Sequence, residues 1–297
     1  AAGQTAPPVT PKPAGAQPPA TAPAVEEEEE HPPLPTTYGT FDFGLRGTHL
    51  DGDAARFERY RDMSDGAFLD RARFNTEKRG WLFDLAADHA GRRDQRFAGR
   101  AVRPGTFKVW GQWDQIPMLM SRTTQTLFSA TSPGVLQIDD AIQSQVQAQA
   151  SYMATAVKTA RTFELGSRRH IFEGGGEYVA KNGLTLDTNV RQTNRDGSIP
   201  FGGSFGHGSV VETFAPVEHK LTDVESSAEF ARGALLLRAG YTGSWFHNEV
   251  PSLTFDNPFR VTDTASGGSR GRIALAPNNS LIGVNGMVSF RLPYKSR

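Results

Sequence analysis

Strict alternation of apolar and polar residues over long segments is the feature that most constrains how this chain can fold. Phe41, Phe43 and Leu45 alternate with Thr40 and Asp42, and about ten segments of mostly eight to eleven residues repeat this period of two. Because successive side chains of a strand point to opposite faces, each segment has one apolar and one polar face. The clearest later examples begin at Trp81, Phe107, Leu184, Leu235 and Ile282.

The length and the charge pattern of these segments favour a membrane barrel over a soluble sandwich. Strands of soluble domains usually have about 5–6 residues, whereas a membrane-spanning strand needs about 9–11. Charged residues lie well inside the segments, and aromatic residues lie near their ends on the apolar side, as Trp81, Trp113, Tyr241 and Trp245 do. This pattern is typical of an all-β, antiparallel transmembrane β-barrel. A soluble β-sandwich or barrel with one wet face is the alternative.

The first 35 residues have a different composition from the rest of the chain. They hold 10 of the 19 prolines and the acidic run Glu26–Glu30, with almost no large apolar side chain. Such a segment cannot offset its ordering entropy, so we predict a disordered Pro/Ala/Glu-rich tail over 1–35 and a barrel segment over 36–297. The barrel segment has 31 basic and 27 acidic residues. A net charge of +4 is too mild to indicate nucleic acid as a partner.

One segment has helical rather than strand periodicity. Ile138, Ile142, Val146 and Ala150 recur at spacings of about four among Gln and Ala residues. We therefore predict a short amphipathic helix over about 139–159, with Asp139 and Asp140 in its first turn, where carboxylates suit the helix dipole. Its thin apolar stripe suits a position across a barrel mouth or against a partner. An ordinary loop helix without a partner fits equally well.

The residues that could carry chemistry form no recognisable site. The chain has no cysteine, which excludes thiolate metal sites and covalent c-type haem attachment to this chain. Its seven histidines are scattered without metal-ligand spacing, and Asp51-Gly52-Asp53 lacks the remaining ligands of a calcium loop. The glycine-rich stretch 202–208 lacks the Lys of a phosphate loop and is interpreted as an external loop. We predict a structural or transport protein, not an enzyme, with no catalytic, metal or cofactor site of its own.

Several short strings, in order along the chain, resemble the MtrB/PioB family of outer-membrane barrels. The similarity covers roughly residues 38–128 and 215–290. It begins at Gly39-Thr40-Phe41-Asp42-Phe43-Gly44 and includes the segments around Gly80-Trp81 and Trp113-Asp114. The residues that carry it most clearly are Trp81, Arg93, Trp113, Pro117, Asp256, Asn257, Pro258, Phe259 and Arg272.

The resemblance implies a sheath in the bacterial outer membrane rather than a catalyst. Members of this family are integral barrels whose lumen holds a multihaem c-type cytochrome, and the haems belong to that partner. On this basis seven polar residues are expected to face the lumen and the cytochrome: Asp42, Arg46, Asp84, Asp88, Lys108, Gln112 and Asp114. Six apolar residues are expected to face outer-membrane lipid: Phe41, Phe43, Phe83, Leu85, Phe107 and Val109.

The length of the chain sets one further expectation. About ten strands fall short of this family's barrel, which lies toward the upper end of the roughly 8–26 strands known for such barrels. We therefore expect the 297 residues to be an N-terminal portion of a larger barrel. Two other functions remain open at this point: a general porin or substrate channel with the same fold, and a soluble β-rich carbohydrate-binding or hydrolytic domain.

Overall fold

A computed structural model describes residues 37–205, 210–264 and 267–292. The predicted tail over 1–35 and residues 206–208 of the glycine-rich stretch lie outside the described residues. Residues 202–204 of that stretch belong to strand β9, so the prediction of an external loop is wrong for them. The helices are α1 (Asp140–Ala148) and α2 (Met153–Ala156). The strands, in chain order, are β1 (Thr37–Arg46), β2 (Gly66–Lys78), β3 (Trp81–Asp88), β4 (Arg96–Arg103), β5 (Phe107–Thr126), β6 (Ser129–Ser132), β7 (Val135–Gln137), β8 (Arg161–Val179), β9 (Leu184–Ser204), β10 (Val210–Arg232), β11 (Leu235–Asn248), β12 (Ser252–Asp256), β13 (Arg270–Ala274) and β14 (Asn279–Phe290).

Ten of these strands form one large antiparallel sheet. Their order in space is β1-β2-β3-β4-β5-β8-β9-β10-β11-β14, so each strand pairs with the sheet strand before it and the one after it along the chain. Within the described residues β1 pairs only with β2, and β14 only with β11, so the sheet is open. The predicted all-β antiparallel architecture, with about ten strands of an incomplete barrel, is confirmed.

Four central strands are much longer than predicted. β5, β8, β9 and β10 have 20, 19, 21 and 23 residues, about twice the eight to eleven that alternation indicated. Alternation marks only the part of a strand with one polar and one apolar side. The long strands continue past that part, where side chains such as Leu165, Val211 and Val217 are buried by other elements of the chain. Their length exceeds what a bilayer requires.

The two ends of the large sheet differ in their connections. At one end, which we call the short-turn end, β2 and β3 are joined by Arg79 and Gly80 alone, and β10 and β11 by Gly233 and Ala234. Arg79 and Gly80 have φ of 55° and 75°, the left-handed pair that a type I′ hairpin turn requires. At the other end, the long-loop end, the connections include residues 47–65, 127–160 and 249–278.

Two of the long connections fold together into a second, smaller unit. Strands β6, β7, β12 and β13 form a four-stranded sheet of order β13-β12-β7-β6, in which β12 and β7 are parallel. We call residues 127–160 and 249–278 the cap. A cluster of buried apolar side chains joins the cap to the long-loop ends of β8 and β10: Phe128, Leu136, Ile138, Leu165, Val211, Phe214, Ala215, Leu253 and Phe255.

The segment predicted as one helix over 139–159 is broken into shorter pieces. α1 begins after Asp139, whose carboxylate accepts a hydrogen bond from the Ala141 amide at 2.8 Å. It ends at Gln149, which has extended backbone angles (φ −146°, ψ 101°), and single 3-10 turns flank α2. The break carries no Pro or Gly that the sequence pattern could reveal. Among the described residues no helix is long and apolar enough to cross a bilayer.

Candidate functional site: the two faces of the large sheet

A row of alternating charges crosses five neighbouring strands of the large sheet. Asp42, Arg71, Asp88, Arg96 and Asp114 lie opposite one another in turn from β1 to β5. Directly opposed residues of an antiparallel ladder point to the same side, and opposite charges there attract. We call this side of the sheet the charged face.

All seven predicted lumen residues lie on the charged face. Residues an even number of positions from this row along a strand share its side, because side chains alternate. On this basis Arg46, Asp84, Lys108 and Gln112 lie on the same side as Asp42, Asp88 and Asp114. The register therefore brings these seven together on one surface. Their contact with a partner stays a prediction.

All six predicted lipid residues lie on the other side, which we call the apolar face. Phe83 lies opposite Ala101, and Ala101 lies opposite Val109, so these residues share one surface. Their side chains are exposed, up to 77% for Phe43. An exposed apolar surface of this extent needs a non-aqueous environment, because soluble monomers rarely leave such patches uncovered.

Aromatic side chains form two bands on the apolar face. Near the short-turn end, the Trp81 ring contacts the Phe107 ring edge-on, with centroids 5.9 Å apart. Farther along β5, Trp113 stacks on Phe97, again at 5.9 Å. Six residues separate Phe107 from Trp113, a distance of roughly 20 Å along the strand. Two aromatic bands that flank an apolar zone are the girdles of a membrane barrel.

Hydrogen bonds connect the charged side chains across strands. Arg100 donates through Nε to Asp84 Oδ2 at 2.8 Å. Arg96 donates to Gln112 Oε1 at 2.8 Å, and Gln112 donates in turn to Glu173 Oε2 at 2.9 Å. These polar side chains of the charged face therefore satisfy one another, so this part of the surface can border water or a polar partner.

The loop over 47–65 is held against the large sheet by two aspartates. Asp53 accepts hydrogen bonds from the Ala55 amide at 2.9 Å and from the Ser121 hydroxyl at 2.7 Å, and these contacts lower its pKa. Asp53 therefore anchors the loop. Within the described ranges no group of three or more His, Asp or Glu side chains is arranged to hold a metal ion.

Asp62 forms the second anchor, together with Arg46. Burial acts to raise the pKa of Asp62, but hydrogen bonds from Ser64 and from the Arg93 amide, with the charge of Arg92, lower it to about 2. Arg46 donates to the Asp62 carbonyl oxygen at 3.0 Å. The Arg46 side chain is therefore engaged within the chain, at the long-loop end of the charged face.

The charged and apolar faces match what a comparison with known families finds. The family model for outer-membrane beta-barrel porins of the MtrB/PioB type matches residues 49–297. The chain belongs to the MtrB/PioB family. The predicted family, the integral outer-membrane location and the porin architecture are thereby confirmed. The alternative of a soluble carbohydrate-binding or hydrolytic domain is wrong, because the members of this family are outer-membrane porins.

Individual relatives are more distant. Outer membrane protein MtrB of Shewanella baltica (strain OS185) is 24% identical over 206 residues, which cover 69% of this chain and 29% of that protein. The chain thus matches less than a third of the length of this MtrB relative. Among solved structures, OmpT of Vibrio cholerae, an outer membrane protein folded in vitro, is 11% identical. The match covers 85% of this chain and 76% of that one, with a TM-score of 0.23.

The MtrB/PioB strings have two different structural roles. Trp81 and Trp113 belong to the aromatic bands, and Pro117 is buried within β5. The Arg93 side chain reaches Glu164 Oε1 at 3.3 Å, which ties the connection between β3 and β4 to β8. Thus the strings of the first region shape the large sheet and its loops.

The string Asp256-Asn257-Pro258-Phe259 builds the cap. Asp256 accepts a hydrogen bond from the Ile138 amide at 2.9 Å, and the Asn257 side chain accepts one from the Phe259 amide at 3.0 Å. Pro258 is buried, and Arg272 donates to Ser252 Oγ at 3.2 Å. Reasoning from the sequence did not assign this role, and the resemblance was the only signal that pointed to these residues.

The cap packs on the same side of the large sheet as the charged face. Phe255 of the cap contacts Phe201 of β9, with ring centroids 5.6 Å apart. A Cβ atom on Gly203 would lie 2.6 Å from the Phe255 ring, so only glycine permits this approach. The register from Arg195 to Phe201 and Gly203 is regular, which places these residues on the charged side. At the long-loop end the cap therefore covers that side.

Proposed function

We propose that this outer-membrane barrel segment sheathes and positions a multihaem c-type cytochrome for electron transfer across the outer membrane. The observation that supports this proposal is the charged face, with its row of alternating charges across five strands opposite an apolar face with two aromatic bands. An apolar exterior suits lipid, and a polar interior suits a soluble protein surface.

In this proposal the haems belong to the partner. Covalent c-type attachment needs cysteines, and this chain has none. The contribution of the barrel is then insulation and orientation: a hydrocarbon core of about 30 Å separates the two sides, and the barrel holds the redox protein in place across it. Asp42 and Lys108 are exposed on the charged face and are proposed contacts for the partner or for lumenal water.

Co-purification from outer membranes tests this function. The full-length protein is extracted in mild detergent, and the barrel fraction is scored for haem absorbance per barrel. We expect haem to co-migrate with the barrel in a fixed ratio, and we expect a neighbouring reading frame with many CxxCH motifs. Barrels that are fully inserted in the outer membrane but carry no haem would contradict the proposal and would favour the general porin or substrate channel.

A further inference from the structure

Two arginines lie directly opposite each other on the charged face. Arg169 of β8 pairs in register with Arg195 of β9, and His219 of β10 lies opposite Arg195 on its other side. Ile116 of β5 and Asn248 of β11 continue the same row. The row therefore contains two guanidinium groups and an imidazole but no carboxylate.

A row nearer the short-turn end is built differently. The row from Gln112 runs through Glu173, Arg191 and Asp223, so positive and negative side chains alternate along it. Like charges directly opposite each other in a sheet are destabilising, and opposite charges contribute roughly 0.2–1 kcal/mol. A row that opposes two arginines therefore lowers the stability of the sheet. Glu177 and Asp187 also oppose each other on the charged face, but Lys108 lies opposite Glu177 on its other side and supplies a positive charge.

The surroundings of the two guanidinium groups do not neutralise them. Arg195 donates through Nε and Nη2 to the Ser167 hydroxyl at 3.3 and 3.2 Å. Asp196 is next in sequence but points to the opposite face, where it pairs with His170 at 3.5 Å. In the part of the chain that the structure describes, no carboxylate lies within 4 Å of either guanidinium.

The position of this row limits what can reach it. The next row toward the long-loop end contains Ser167 and Val217, which are 7% and 4% exposed. Arg169 itself is exposed and Arg195 is half-buried. The two arginines thus lie directly beside a buried row, so a molecule that lies along the charged face can reach them but not the side chains of that next row.

We propose that Arg169 and Arg195 form a binding site for carboxylate groups on the surface of the lumenal partner. A guanidinium presents a planar fork of N–H donors that matches a carboxylate. Two forks on opposed residues, with Cβ atoms about 4.5–5.5 Å apart, can reach the same acidic group. The site positions the partner axially against the cap. This inference rests on the proposed cytochrome-sheathing function.

The test uses the full-length protein in its complex, with the variants R169Q and R195Q. The control is R238Q, because Arg238 also lies on the charged face but opposite Glu229. The first measurement is the haem retained per barrel during a rising NaCl gradient. Each lost charge-assisted hydrogen bond is expected to weaken retention roughly tenfold. The R238Q variant is expected to retain haem as the wild type does.

The second measurement is the thermal stability of the same barrels prepared without the partner. We expect R169Q to raise it, because it removes a like-charge opposition. R195Q should raise it less, because that variant also loses the hydrogen bonds to Ser167, and R238Q should lower it or leave it unchanged. A merely structural role for the two arginines would move stability and haem retention in the same direction. A binding role therefore predicts opposite changes: thermal stability rises while haem retention falls.

The possible outcomes separate this site from the function on which it rests. Wild-type barrels without haem would overturn the sheathing function itself. Wild-type barrels with haem, together with variants that retain it equally well, would overturn only the carboxylate site. A partner-free barrel that inorganic phosphate stabilises, with the stabilisation absent in R169Q and R195Q, would identify a free-anion site and would also overturn the assignment to the partner.

Discussion

Replacement of Asp256 by Ala tests whether one carboxylate holds the cap together. Asp256 Oδ2 accepts the hydrogen bond of the Ile138 amide at 2.9 Å, and Oδ1 pairs with Arg270 Nε at 3.0 Å. Ile138 is 4% exposed, so its amide would lose its partner in a buried position, which costs about 1–3 kcal/mol. The Arg270 side chain is 58% exposed, and such a pair contributes at most about 1 kcal/mol. The sum is about 1–4 kcal/mol.

Hydrogen exchange at the Thr254 amide measures this loss. That amide donates to the Gly134 carbonyl at 2.7 Å and joins the two inserts of the cap. A loss of about 1–4 kcal/mol accelerates exchange through local opening by roughly 5- to 900-fold. D256N keeps one acceptor for the Ile138 amide and is expected to lie between D256A and R270Q. Equal, small effects of D256A and R270Q would refute the reasoning, because the buried amide would then not depend on Asp256.

Three further predictions concern the loop, the faces and the sheet. The folded-state pKa of Asp62, about 2, lies below its ordinary 3.8, so its stabilisation of the loop over 47–65 is complete above about pH 4 and is lost as pH falls toward 2. Pepsin should cut that loop increasingly over this range, and D62N should be cut already at pH 4. Folding of variants into lipid vesicles can be scored by heat-modifiable gel mobility. V109R, on the apolar face, should be destabilised by about 2–4 kcal/mol, whereas T242R, on the charged face, should be tolerated. Equal behaviour of the two variants would contradict the assignment of faces. In urea titrations G175A should lose about 1–3 kcal/mol, because its Cβ would lie 2.7 Å from a carbonyl oxygen of the neighbouring strand, whereas G202A, with nothing within 4 Å, should unfold as the wild type does.

The two faces of the large sheet were predictable because alternation is a local property. Whether a side chain such as Phe83 or Asp84 meets lipid or water depends only on its position along an extended strand. The sequence therefore indicated both surfaces, and in the structure the seven predicted lumen residues share one side of the sheet and the six predicted lipid residues share the other. Their contacts with a partner and with lipid stay predictions. The resemblance added the family, which the match over residues 49–297 confirms.

The cap could not be predicted in the same way. Its strands have three to five residues and are buried on both sides in places, as Leu253, Phe255 and Asp256 are, so no period of two identifies them. Ile138 and Asp256 meet although 118 residues separate them. A contact over that distance depends on how two loops pack, which no local pattern records.

The sequence by itself determined that this chain forms long amphipathic strands with a polar and an apolar side, because consecutive side chains of a strand point to opposite faces. Only the tertiary structure decided which residues stand opposite one another across neighbouring strands. That register is set by turns and by packing against the cap rather than by the residues of one strand. It places Asp84 opposite Arg100, so that the two charges satisfy each other. It places Arg169 opposite Arg195, two like charges that form the proposed binding site.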